Sequence, residues 1–275
     1  MGMCGSPRSL RPRIVCFSLA LHHTLTRAQT GGAYIGFDGA VHTTPPGQTF
    51  YSDMSLWDTH RSQNPLLVLL RPDVARDIAA SLVLMADQGG ALPRWPLAHG
   101  YTGCMISSHG IQVLADTALK GIGSWDIAGA QRHAVNMMTN PALDHGLGCL
   151  GEFMSRGYCA SESDRTGTCL TLSYAFDSHA AAVLSMLVNA SSDAARLLQQ
   201  ARSYENAWSP GDRFMCPRNR AGLFDCPPGT TDVFDEHYVE GDEWQWRWFV
   251  PHDPEGLGAL RVPEVSTNVR MMGRE

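Results

Sequence analysis

The sequence holds no apolar run that approaches the roughly 20 residues needed to cross a bilayer. Its longest candidates, such as Pro65–Leu70, are broken by charge within a few residues, so no membrane span is expected. It has no run of Lys or Arg either. With 21 basic against 27 acidic side chains and a formal net charge of −6, it lacks the positive footprint that binds a polyanion, and nucleic acid is not expected as a partner. None of the eight cysteines (Cys4, Cys16, Cys104, Cys149, Cys159, Cys169, Cys216, Cys226) forms a C-x-x-C pair or stands near a His at zinc-ligand spacing. They read as scattered buried thiols rather than disulfides. No shift in composition marks a second domain. What is present, 275 residues with 44% hydrophobic content, is enough to bury a sizeable core.

At the N-terminus Arg8, Arg11 and Arg13 precede an apolar stretch, Ile14–Leu21, which imitates a signal peptide. His22 and His23 interrupt it early, and no small-x-small cleavage site follows. Helical periodicity dominates beyond that point. From Asp73 to Ala86 apolar residues recur every three or four positions at Val74, Ile78, Leu82 and Met85 or Ala86. Pro72 stands near the start and Gly89-Gly90 at the end, the residue types that begin and stop helices. Similar patterns predict helices over Ser55–Leu70, Ile111–Lys120, Trp125–Met137, Leu170–Val188 and Asp193–Trp208. Only Gly32–Val41, turning at Asp38-Gly39, reads as a hairpin. The fold class is mainly α. Antiparallel helix pairs joined by chemistry-bearing loops suit an (α/α)6 toroid, here incomplete, with a small β-hairpin near the N-terminus.

Chemistry concentrates in Tyr238–Asp253. There Trp244, Trp246 and Trp248 stand among Glu240, Asp242, Glu243 and Gln245. Aromatic faces beside acids suit a pyranoside, whose C–H faces pack on rings while its hydroxyls take charged or amide partners. A carboxyl held against indole rings loses hydration and stays protonated more readily, as a general acid must. Glu240 is the candidate. Buried aromatic packing is the plain alternative for such a segment. In Ser55–Arg61, Trp57, Asp58 and Arg61 come together, and Asp58 and Arg61 share a helix face as either a ligand clamp or a surface ion pair. Trp95, between Pro93 and Pro96 in a stiff loop, is either a solvent-facing platform or a cap on the core edge.

Four strings in this order resemble the motif set of glycoside hydrolase family 92. They are Phe50–Arg61, Gly90–Pro96, Lys120-Gly121, and Tyr238–Trp246 with Val250–Asp253. Leu19–Leu25 is similar to the helix that precedes the first hairpin in that family. The resemblance covers about residues 16–260, as a partial catalytic domain, with a non-matching segment at 1–15 and an irregular tail at 261–275. It implies an exo-acting, inverting α-1,2-mannosidase with a bound calcium ion, acting on mannose-terminated glycans of the N-linked or mannan type. A secreted or extracytoplasmic location goes with it. Glu240 matches the family's general acid. Trp57, Asp58, Arg61, Trp95, Lys120, Trp244 and Gln245 fall on motifs expected to hold the sugar.

The sequence departs from the family pattern in five ways. The Asn-Glu-Pro loop that contributes calcium ligands and the Gly-Asn-Asp-Asp-x-Gly loop that supplies the general base do not occur. The β-sandwich that usually precedes the helical domain is missing. Ser173 stands where relatives usually have Glu, and Asp242 where Asn is common. Inversion needs a second carboxylate across the sugar from the acid. Asp253 and Glu243 are the local candidates, but neighbours on one helix project to one side rather than opposite each other. The competing reading is therefore a non-catalytic protein, either a mannose-binding remnant or a decayed copy. A terpene cyclase toroid is disfavoured by the lack of Asp-Asp-x-x-Asp clusters.

Overall fold

The computed structural model describes residues 29–30, 32–226 and 236–261. The signal-like segment, the Leu19–Leu25 string, Cys4, Cys16 and most of the tail lie outside them. Short strands open the chain: β1 (Gln29–Thr30), β2 (Ala33–Ile35), β3 (Val41–Thr43) and β4 (Thr49–Phe50). The expected hairpin is the β2–β3 pair, antiparallel with Tyr34 opposite His42, and Gly39 in its turn has φ +76°. β1 pairs with β4. Helices follow as α1 (Leu56–Thr59), α2 (Gln63–Leu70) and α3 (Pro72–Gly89). Then come the β5–β6 pair (Pro96–Leu97 with Gly100–Tyr101), α4 (Gly110–Leu119), α5 (Ile127–Thr139) and α6 (Leu150–Arg156). α7 (Gly167–Leu187) and α8 (Ser191–Ala201) continue into a 3-10 turn at Arg202–Ala207. The β7–β8 pair (Trp208–Ser209 with Phe214–Met215), α9 (Glu243–Trp246) and α10 (Pro254–Arg261) complete the described chain.

The protein is mainly α, and the long helices fall where periodicity predicts them, except that the stretch expected to run helical to Trp208 leaves the α-helix at Ala201 and places Trp208 in β7. In α3, Pro72 occupies the first turn, where its missing N–H costs nothing, and Gly90 takes the left-handed cap with φ +89°. Asp126 caps α5 by accepting the Gly129 N–H at 2.8 Å. α7 is buried almost all round because α4, α5, α8 and the 3-10 turn pack against it. No helix among the described residues is long and apolar enough to cross a membrane.

Three expectations change. Ser55–Leu70 is not one helix but two, since the Pro65 ring would clash with the Arg61 carbonyl in a continuous helix. Three two-residue strand pairs join the predicted hairpin. Cys216 and Cys226 form a disulfide rather than lying as scattered thiols; the loop that turns back through Arg218 and Phe224 brings them together, a tertiary closure invisible to spacing. Cys159 and Cys169 are buried thiols as read.

Two apolar clusters result. The larger collects residues such as Leu56, Ile78, Leu82, Ile111, Met137 and Leu184 from the hairpin and helices α1 to α8. The smaller joins Cys169 and Leu172 of α7 to Tyr204, Trp208, Met215, Tyr238, Trp246 and Val250. The candidate site sits against the smaller one.

Candidate active site

The C-terminal wall starts from backbone that is hard to hold. Glu240 has φ +48°, a left-handed conformation unusual for a residue with a Cβ. It is fixed from both sides. The Tyr238 hydroxyl donates to the Met215 carbonyl at 2.7 Å, and the Val239 N–H donates to Cys169 Sγ of α7 at 3.3 Å. The Val239 carbonyl accepts the Trp246 indole N–H at 3.0 Å. After Glu240, Asp242 and Gln245 form a reciprocal cap. The Gln245 N–H reaches Asp242 Oδ1 at 3.0 Å, and the Asp242 N–H reaches Gln245 Oε1 at 3.1 Å. That folded-back amide requires Gly241, where a Cβ would lie 2.0 Å from Gln245 Oε1. The cap explains Asp242: an acid is as good a helix N-cap as Asn.

The facing wall comes from α1, anchored by fully buried Leu56. Trp57 and Arg61 lie one turn apart, and the Arg61 guanidinium sits 4.9 Å from the Trp57 ring centre and 5.2 Å from that of Phe249. Cation–π contact with two rings holds the charge at the mouth of the site. Desolvation pulls the Arg61 pKa below its ordinary value, opposed by the charge of Asp58. Between the walls lies a pocket of about 250 Å³ lined by Trp57, Arg61, Val239, Glu240, Gln245, Trp246 and Phe249.

Behind this pocket the surroundings are largely aromatic. Phe249 meets Trp246 and Phe176 edge to face, with ring centres 5.1 and 6.2 Å apart, and His252 stacks on Phe176. Burial lowers His252 to a pKa of about 4; its Nε2 pairs with the Ala201 carbonyl at 2.9 Å. His60 is likewise pushed to about 4, first by burial and then by Arg61, and its ring lies tilted against that of buried His109, 4.2 Å between centres.

Of the sequence-predicted residues, the structure brings Glu240, Trp57, Arg61 and Gln245 together. Asp58 is exposed and accepts the Ser55 hydroxyl. Trp95 is half-buried at the entry to β5, its carbonyl taken by Thr102 at 2.8 Å, and Lys120 is exposed and paired with Asp116 at 2.9 Å. Trp244 stands outside the pocket, 54% exposed and edge-on to Phe214 at 4.8 Å. Trp246 and Phe249 form the wall instead, and reading missed both. The phase of the segment carries the signal, because positions 244 and 248 share the outer face while 245, 246 and 249 share the inner one. Neither Asp253 nor Glu243 lines the pocket. Asp253 is engaged by the Tyr204 hydroxyl at 2.6 Å and the Gly256 N–H at 2.8 Å.

Calcium, which the resemblance implies, takes six to eight oxygen ligands. This pocket offers the Glu240 carboxylate and an amide oxygen already occupied by Asp242, beside a cationic Arg61. That set does not fit the ion. Among the described residues, the grouping of acid and thiol ligand atoms close enough for a metal is Asp212, Cys216 and Cys226, and its two sulfurs are bonded to each other.

The sequence profile of the glycosyl hydrolase family 92 catalytic domain matches residues 15–266. Among solved structures, the chain is similar to the family GH92 α-mannosidase BT3965 from Bacteroides thetaiotaomicron, with 29% identity and a TM-score of 0.78. The alignment covers 89% of this chain and 32% of that one. The same enzyme in complex with mannoimidazole aligns at 27% identity over 89% of this chain and 33% of that one, with a TM-score of 0.79. The inverting mannosidase BT2199 of the same organism aligns at 27% over 86% of this chain and 32% of that one, with a TM-score of 0.75. The chain thus spans about a third of the length of these structures. No curated protein matches it. With a profile match over most of its length and this fold shared with solved members, the chain belongs to glycosyl hydrolase family 92.

Proposed function

We propose that the pocket is the acid-bearing part of the sugar site of an exo-acting, inverting α-1,2-mannosidase that trims mannose-terminated glycans of the N-linked or mannan type. The observation that carries this reading is the convergence of Glu240, Arg61, Gln245 and the Trp57 and Trp246 rings on one pocket of about 250 Å³. That volume falls just under the roughly 300 Å³ lower bound for drug-sized ligands and suits a single terminal sugar. The mannoimidazole complex of a relative supports a mannose-type ligand. The helix pairs around α7 support an arc of an (α/α)6 toroid with the pocket on its connecting segments.

In this reading Glu240 donates its proton to the leaving oxygen as the bond to the anomeric carbon breaks. The Trp57 and Trp246 rings pack the sugar's C–H faces, and Arg61 and Gln245 take its hydroxyls. Locking Glu240 in its left-handed backbone aims the carboxyl before substrate arrives, so no reorganisation is needed at the moment of reaction. Inversion also requires a base about 6.5–9.5 Å from the acid, to activate water on the opposite face. No second carboxylate lines the pocket among the described residues. The base is assigned to residues outside them, and so are the ligands of any calcium ion.

The test uses a chimaera in which a relative's catalytic domain supplies what this chain does not span. Glu240→Gln is expected to cut turnover of mannosides with poor leaving groups by roughly 10²–10⁴, and of activated aryl mannosides far less. Equal losses on both would remove Glu240 from the acid role.

A further inference from the structure

Four described cysteines are free thiols: Cys104 is exposed, Cys149 half-buried, and Cys159 and Cys169 buried. Cys169 is committed to the site through the Val239 N–H. Cys149 and Cys159 are not, and the fold brings them together. Cys149 precedes α6 in a left-handed conformation with φ +59°, and α6 with Gly157 carries the chain back so that Cys159 Sγ donates to the Cys149 carbonyl at 3.5 Å. Cys149 Sγ, half-buried, donates to Glu152 Oε2 of α6 at 3.7 Å. The Cys159 N–H is pinned by Thr171 Oγ1 of α7 at 2.9 Å, which keeps this arch closed.

The bonded pair Cys216–Cys226 closes a loop with a sequence separation of 10. Cys149 and Cys159 are also ten apart by residue number. The two arches are stitched to each other. The Ser161 N–H reaches the Arg218 carbonyl at 3.0 Å, the Tyr158 hydroxyl reaches the Asn219 carbonyl at 2.9 Å, and Arg220 pairs with Glu152 at 2.9 Å. A chain that holds one disulfide folds where thiols are oxidised. The second pair lies in the same conditions, a few residues away in space.

We propose that Cys149 and Cys159 form a second disulfide, a redox modification site that staples the arch of α6. With glutathione disulfide as oxidant, the more accessible Cys149 thiolate attacks one glutathione sulfur and expels glutathione thiolate. Cys159 then gives up its proton to that leaving thiolate and attacks Cys149 Sγ, releasing the second glutathione. Two protein thiols are oxidised and one glutathione disulfide is reduced to two glutathiones. The order follows from accessibility and acidity, since the neighbouring Cys149 thiol and then burial push the Cys159 thiol up.

The test takes the full chain through a series of glutathione redox buffers, alkylates remaining thiols in denaturant without reduction, and digests with trypsin. Arg156 separates the two cysteines, so their peptides stay together only through a disulfide. At the ratio where the Cys216 and Cys226 peptides are fully joined, the Cys149 and Cys159 peptides are expected as one species lighter by two hydrogens than the reduced pair. Cys149→Ser is expected to leave Cys159 alkylated. Alkylation of both cysteines in the unmutated chain at that ratio, or a bond from Cys149 to any other cysteine, overturns the proposal.

Discussion

The two apolar clusters are built on different physics. The larger is made of aliphatic stripes on regular helices, such as Ile78, Leu82 and Met85 of α3, whose backbone groups are satisfied within their own helices. The smaller is rich in aromatic rings and is assembled from two-residue strands, turns and the four-residue helix α9 packed on one face of α7. It closes through side chains that reach backbone carbonyls. Tyr238 bonds Met215, and Trp246 bonds Val239, while Tyr204 holds the Asp253 carboxylate. Burial of area stabilises the first and depends little on any one atom's direction. In the second each ring has one polar atom to place, so its geometry is specific, and Glu240 sits where that specificity is greatest. Regular packing holds the scaffold, and directional bonds hold the chemistry.

The contrast can be broken most strongly in the scaffold. Leu82 is fully buried between helices, and Leu82→Ala is expected to lower unfolding free energy by about 2–5 kcal/mol in urea titrations. A loss below about 1 kcal/mol would mean the large cluster is looser than drawn. A pH series sharpens the boundary between the clusters, where fully buried Asp177 of α7 accepts from Ser107, from the Ser108 N–H at 2.8 Å and from Gln112 at 2.7 Å. Burial raises its pKa from 3.8 to about 6. The folded state therefore binds the proton more tightly than the unfolded one. This group costs stability above pH 6, and the cost disappears as pH falls below its unfolded value. His60 and His252, held neutral with pKa values of about 4, act in the opposite sense. Their stability is present above their unfolded value of 6.5 and is lost as pH falls towards 4. In Asp177→Asn the compensating acid is gone, so stability is expected to decline more steeply than in the unmutated chain between pH 6 and 4, by up to about 3 kcal/mol across that range. Equal slopes would place Asp177 in contact with water. The smallest effect is on a single bond of the aromatic cluster. Trp246→Phe keeps most of the ring but strands the Val239 carbonyl, and is expected to cost about 1–2 kcal/mol in thermal unfolding. A neutral result would show that the indole N–H does not hold the Glu240 turn.

Much of this was legible beforehand. The limits of α3 were readable from Pro72 and Gly89-Gly90, because these residues act on the local backbone whatever surrounds them. The motif strings led to Glu240, Trp57, Arg61 and Gln245, which share a pocket. Trp244 shows where that reading stopped. In a helix two positions are a rotation of about 200°, so Trp246 faces inward where Trp244 faces out, and Met215 and Cys169 set that phase by fixing the turn before α9. Pro65 marked a break in Ser55–Leu70, yet the turn it forces appeared only in three dimensions.

The sequence by itself determined the mainly helical class and the family, and named four residues that share a pocket, since apolar period and motif order are properties of neighbours along the chain. Tertiary structure alone decided which tryptophan lines the pocket, which cysteines are bonded, and that Arg61 lies between two rings rather than against Asp58. Those outcomes depend on the direction of single side chains, which is set by contacts between segments far apart in the chain.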